Sequence, residues 1–254
     1  MSIDKLVKAN DAATGHTKPS TWRGQLVQLG AIVLAVFLAK GAIAEPFYVP
    51  SGSMEPTLLI GDALLASKFP YGYGTASLPM QINLPETGRV FEGTPKRGDV
   101  VVFRGPGDTS QAWVKRVVGL PGDRVQMIHG LPHINGVAVK QEQIEDFVET
   151  DASGHTTRVK QWRETLPNGV SYATLDLYPD GFWDNTRVYA VPAAHYFVLG
   201  DNRDNSQDSR TSEVGYVPFE NLVGRVDRIV FSIDCESRSK DFSVRFERIG
   251  MAVR

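Results

Sequence analysis

Thiols are nearly absent: Cys235 is the only cysteine in 254 residues, so no intramolecular disulfide can form. That absence does not fix a compartment, because a protein without disulfides folds in any redox environment. A lone thiol in the tail segment is a small packing residue, and it is given no role. Net charge is missing too. A formal balance of −2 with no basic stripe excludes the electrostatic footprint of a nucleic-acid-binding protein. The five histidines (His16, His129, His133, His155 and His195) sit in no nucleophile motif, and there is no Gly-x-Ser-x-Gly elbow. The Asp- and Asn-rich run Gly200 to Arg210 invites a calcium-loop reading but fails its template. Arg203 stands at the third ligand position, Ser206 at the glycine position and Ser212 where a glutamate closes the loop. Neither a metal nor a cofactor is expected. The chain carries no internal repeat and no low-complexity tract.

One long apolar run is present. Leu26 to Ala44 reads LVQLGAIVLAVFLAKGAIA, nineteen residues with one Gln and one Lys, close to the ~20 that span a bilayer as helix. Two other readings compete: a buried core helix, and a cleaved signal peptide, for which Ala42-Ile43-Ala44 has the small-x-small form. The preceding tail is long for a signal peptide, so a retained transmembrane anchor over 26–44 is favoured. Lys40 can snorkel to the interface. Lys5, Lys8, Lys18 and Arg23 argue that residues 1–25 form a cytoplasmic tail and that the bulk of the chain lies outside.

Residues 45–254 read as a mainly β domain. Val100 to Phe103 is a β-branched and aromatic run between glycine turns, and Trp113 to Val118 is a second strand. Ile134 to Val139 holds an Asn-Gly hairpin turn. Arg187 to Val191, Tyr196 to Leu199 and Val223 to Ser232 are further strands. Helical periodicity is limited to a turn or two around Leu58. From Gln141 to Asp184 the chain turns polar, with Asn168-Gly169 and Asp180-Gly181 turns; we read a β elaboration at about 129–190.

Three stretches hold residues suited to chemistry. Pro50-Ser51-Gly52-Ser53-Met54-Glu55-Pro56-Thr57-Leu58 offers a hydroxyl pair split by a glycine, in a proline-limited turn. By itself it is equally a plain loop. On a strand, Lys115 sides with Trp113 and Val117 while Arg116 points the other way. A lysine among apolar neighbours loses its proton readily and can serve a serine as base, although a snorkelling lysine has the same pattern. In the loop after Leu199, Asp208 and Arg210 can form a charge-assisted pair.

Together, and in this order behind the apolar segment, these stretches resemble the type I signal peptidases. Ser51 to Leu58 is similar to the family's serine box, Arg97 to Phe103 to the strand box that follows it, and Lys115 to Asp123 to its lysine box. His195 to Arg210 is similar to its GDNxxxSxDSR box, and Pro218 to Ser232 to its closing strand. The resemblance implies a coiled antiparallel-sheet peptidase domain behind one N-terminal transmembrane helix. It implies Ser53 as nucleophile and Lys115 as general base, with the Ser51 hydroxyl and Ser53 N–H as oxyanion hole and Ser206 orienting the lysine. Asp208 and Arg210 become structural support, and Phe47, Val49, Met54, Leu58 and Val114 line the substrate pockets. The implied partners are secretory preproteins with signal peptides and the lipid bilayer, not nucleic acid. The implied location is the bacterial cytoplasmic membrane, single-pass, with the catalytic domain on the periplasmic or extracytoplasmic side. Two departures stand out: one anchor where some relatives have two, and no cysteine pair between the last boxes. Rival readings are a self-cleaving repressor, a maturation peptidase of the same superfamily, and a membrane-anchored β-domain that binds a partner. The last of these predicts Ser53 and Lys115 far apart.

Overall fold

From residue 44 onward, the regular elements of the computed structural model are strands and short 3-10 turns, joined by loops. It describes residues 22–77, 88–150, 155–178, 180–234 and 243–253; Cys235 and residues 1–21 lie outside these. α1 (Trp22–Ala42) is followed by β1 (Ala44–Tyr48), β2 (Asp62–Ser67), β3 (Val100–Arg104) and β4 (Ala112–Gly119). Next come β5 (Arg124–Ile128), β6 (Leu131–Ile134), β7 (Val137–Ala138), β8 (Lys140–Gln143), β9 (Phe147–Thr150), β10 (Thr156–Thr165) and β11 (Ser171–Asp176). β12 (Tyr189–Ala190), β13 (His195–Leu199), β14 (Val217–Pro218), β15 (Leu222–Asp234) and β16 (Ser243–Val244) complete the described set.

An eight-stranded sheet runs β1-β2-β15-β3-β4-β13-β14, with β16 on β15. Two smaller sheets make the elaboration: β11-β10-β8 with β9 on β10, and β12-β5-β6-β7. The strands of the large sheet pair antiparallel. Alternation sets its two faces. On β3, Val100 and Val102 join one apolar cluster with Met54, Leu58 and Leu64, while Val101 and Phe103 join another with Val117 and Val198. A third cluster, around Val125, Leu166 and Phe197, ties the elaboration to β13.

Differences from the sequence reading are local. The expected Arg187–Val191 strand shrinks to Tyr189–Ala190, because only those two residues pair with β5. The Asn-Gly turn joins β6 to β7 as read, with Asn135 and Gly136 both at positive φ (54° and 81°), the two-residue geometry that suits strand twist.

The chain separates into two compact units, residues 1–39 and 40–254. The expected helix over 26–44 is found as Trp22–Ala42, and Ala44 already belongs to β1. Among the described residues no helix is long and apolar enough to cross a membrane. Its residues Leu26, Val27, Leu29, Ile32, Val33, Leu34 and Val36 are all exposed.

Candidate active site

Strand pairing positions the lysine. β4 pairs with β3 from Ala112 to Arg116 but with β13 only at Arg116, Val117 and Gly119. Lys115 therefore lies one residue before the second neighbour begins, and on that side Ala112–Lys115 border open space instead of a strand. Its side chain is buried, with Nζ 2.7 Å from Ser53 Oγ and 3.0 Å from the Val114 carbonyl. Burial lowers its pKa to about 8; Asp208 and Asp201 oppose that fall and Arg210 adds to it. The amine also stands 5.8 Å from the Trp113 ring centroid.

The serine is carried by a tight turn, Gly52–Met54, that leaves Ser53 buried and Ser51 exposed. Ser51 has extended backbone, and its Oγ lies 3.4 Å from Ser53 Oγ. The turn is closed by the Glu55 N–H donating to the Gly52 carbonyl at 3.1 Å and the Leu58 N–H donating to that of Met54 at 2.9 Å.

Loop 200–210 packs against this turn. A Cβ on Gly200 would fall 2.2 Å from Ser206 Oγ and 2.5 Å from the Ser53 carbonyl oxygen. Only a glycine lets the strand end pass between those two serines. Ser206 is buried at the same cleft, and its hydroxyl makes no hydrogen bond to the Lys115 amine. Arg210 grips both oxygens of Asp208 at 2.8 Å and donates to the Arg203 carbonyl at 2.6 Å. Burial pushes the Asp208 pKa up, yet Arg210 and the Gly200 N–H outweigh it and hold the carboxyl below the usual range. The pair closes the loop on itself.

A cleft of about 790 Å³ opens over the two side chains. Phe47 and Val114 line it, together with Trp113, Trp183 and Leu64. Val49, Met54 and Leu58 do not: each is sealed in the apolar cluster beneath the serine turn. A turn whose serine faces a cleft must send its apolar neighbours into the core.

Comparison with known proteins bears on what such a site belongs to. The family model described as signal peptidase, peptidase S26, matches residues 22–231. The chain is 38% identical over 226 residues to a signal peptidase I of Rickettsia canadensis, covering 86% of this chain and 82% of that protein. It is 39% identical over 208 residues to one of Rickettsia typhi, covering 79% and 77%. The chain belongs to the signal peptidase family, peptidase S26. As a member of that family it is a serine endopeptidase. A crystal structure of a signal peptidase I from Enterococcus faecalis shares 26% identity over 52% of this chain and 96% of that chain; its TM-score, 0.32, is too low for the fold to be compared.

In this S26 peptidase, several buried groups around the site escaped the sequence reading. Arg116 spans Asp201, with Nε to Oδ1 at 2.8 Å and Nη2 to Oδ2 at 2.6 Å, and reaches the Gly98 carbonyl at 2.9 Å. Thr57, in the serine segment, donates to the same Asp201 at 2.5 Å. Asn202 donates from its backbone to the Ser53 carbonyl and from its side chain to that of Gly52, both at 3.2 Å. Alternation had placed Arg116 opposite Lys115. The missing signal was its partner: only the tertiary fold brings Asp201 to Arg116.

Proposed function

We propose that this chain is a membrane-bound serine endopeptidase that removes N-terminal signal peptides from secretory preproteins. The observation that carries the reading is the contact of a buried lysine, its pKa lowered to about 8, with a serine hydroxyl 2.7 Å away. In it, neutral Lys115 takes the Ser53 proton as Oγ attacks the scissile carbonyl carbon. The Ser53 N–H and the Ser51 hydroxyl receive the oxyanion. Lys115 then passes its proton to the leaving amine, the mature protein departs, and the lysine draws a proton from the water that hydrolyses the acyl ester. On this reading Ser206, which lines the same cleft, turns its hydroxyl to the amine and orients it during the reaction; Asp208 and Arg210 hold its loop.

Specificity follows from strand geometry. An extended substrate lies along the open side of Ala112–Lys115 and presents alternate side chains to one wall. Phe47 and Val114 leave room there for small residues at the −1 and −3 positions, the small-x-small pattern of signal peptides. The exposed apolar residues of α1 occupy most of its circumference, as suits a helix in lipid rather than water. On this reading α1 anchors the enzyme in the bacterial cytoplasmic membrane with the catalytic unit on the extracytoplasmic side. A partner-binding domain gives no reason for a 2.7 Å Ser–Lys contact, and a self-cleaving repressor no reason for α1.

Cleavage of a purified preprotein in detergent, with the new N-terminus sequenced, tests the proposal. Wild type should cut after a small-x-small site, and Ser53→Ala and Lys115→Met should lose at least ~10³-fold in rate. Persistent cutting by folded Ser53→Ala would remove the nucleophile assignment. Cutting at unrelated positions by wild type would remove the substrate assignment.

A further inference from the structure

The peptide group between Gly52 and Ser53 is planar, with the Gly52 carbonyl oxygen on one edge and the Ser53 N–H on the other. Whatever fixes that oxygen therefore aims that N–H. Gly52 O accepts from the Glu55 N–H at 3.1 Å and from Asn202 Nδ2 at 3.2 Å. The next peptide group is held by the same residue, since the Asn202 N–H donates to Ser53 O at 3.2 Å. Asn202, buried in a loop 150 positions along the chain, thus grips both peptide groups that flank the serine.

A side-chain amide can sit either way round, and its neighbours decide which end goes where. Glu55 makes that decision. It is buried, its Oε2 lies 3.4 Å from Asn202 Nδ2, and it folds so close over Gly52 that a Cβ there would come within 2.5 Å of Oε2. With the amide reversed, Asn202 Oδ1 would face both the Glu55 carboxylate and the Gly52 carbonyl, two contacts between acceptors. The observed orientation instead leaves Oδ1 buried without a partner. Leaving an acceptor bare costs stability, so a stronger demand sets the direction of the amide, and the two acceptors it faces are that demand.

We propose that Glu55 and Asn202 are a positioning pair for the oxyanion-binding N–H of Ser53. Glu55 sets the orientation of the Asn202 amide, and Asn202 locks the two peptide planes. Neither residue touches substrate. The inference rests on the reading of Ser53 as nucleophile.

The test uses the full-length chain in detergent and a peptide with a small-x-small site. Ser53→Ala is run first. If it still cuts, the nucleophile reading fails and the pair with it; if it is silent, the variants below judge the pair alone. Asn202→Ala should lower kcat by ~10- to 100-fold, with KM within about twofold and the pH midpoint of the rate unmoved. Asn202→Asp, the same shape with an oxygen facing two acceptors, should lose at least as much. Glu55→Ala should lower kcat less. The double variant should be no slower than Asn202→Ala, because Glu55 acts through the asparagine. Normal kcat in Asn202→Ala, a loss confined to KM, or additive losses in the double variant would each overturn the proposal. If the melting curve shows Asn202→Ala unfolded, Glu55→Ala decides: reduced kcat at an unchanged melting temperature supports the pair, and unchanged kcat overturns it.

Discussion

A lysine amine taken out of water holds its proton less tightly, because the charged form loses its hydration. For Lys115 that brings the pKa from the ordinary 10.5 to about 8. Between those values the unfolded chain binds more protons than the folded one, so the contribution of this residue to stability rises with pH across the window. Its penalty is fully present below pH 8 and is gone above 10.5. Lys115→Met, which keeps the volume and removes the charge, should therefore raise stability at pH 7 by about 1–3 kcal/mol. Thermal melting of the two proteins should converge as the pH approaches 10.5, and a gap that stays constant with pH would contradict the account. The same proton governs the rate. kcat/KM should climb with pH through about 8, with a flat profile the contrary result. Much of this residue was legible in the sequence, since strand alternation and apolar neighbours are local facts. Arg116 was not. Its role depends on Asp201, 85 positions away, and no local pattern reports such a pair.

Loop 200–210 shows why the β elaboration exists. β11 adds itself to the loop by backbone bonds, the Leu175 N–H donating to the Asp201 carbonyl at 2.9 Å and the Arg203 N–H to that of Leu175 at 3.0 Å. Side chains seal the joint: Arg203 meets Glu164 of β10 at 2.6 Å, Tyr172 donates to Glu164 at 3.0 Å, and Arg116 stacks 4.0 Å from the Tyr172 ring centroid. The elaboration thus buttresses the residues that hold the serine turn. Removing one partner of a buried ion pair leaves the other charge bare, so Glu164→Ala should cost about 3–5 kcal/mol. Urea unfolding measures it, and a loss under about 1 kcal/mol would mean that water reaches Arg203. In the sequence the elaboration was visible only as polar strands and turns. Its hairpins could be read, because Asn135-Gly136 and Asn168-Gly169 carry their own turn chemistry. Its attachment to the loop could not, since backbone pairing between distant segments leaves no mark on either one. The residues expected to line substrate pockets divide between the cleft and the core beneath it. Phe47 and Val114 do line the cleft, whereas Val49, Met54 and Leu58 are core, and an apolar residue beside a nucleophile looks the same in either place.

Two units, residues 1–39 and 40–254, divide the labour in the proposed enzyme. The second has its own apolar clusters, its own closed hydrogen-bond network and every residue assigned to chemistry. The first contributes a helix with exposed apolar residues. Helix formation was readable from the run of apolar residues, while its start at Trp22 was not, since Arg23 and Gln25 extend it with good intrinsic propensity. If α1 serves only to hold enzyme and precursor in the same plane, removing it should leave chemistry alone and change encounter. A shortened chain of residues 40–254 should therefore cleave a short soluble peptide with kcat/KM within ~3-fold of the full chain. On a preprotein reconstituted in lipid vesicles it should be slower by ~10-fold or more, the loss of effective concentration that tethering supplies. Equal losses on both substrates would show that α1 shapes the catalytic unit itself, and no loss on either would show that the catalytic unit finds the membrane without it.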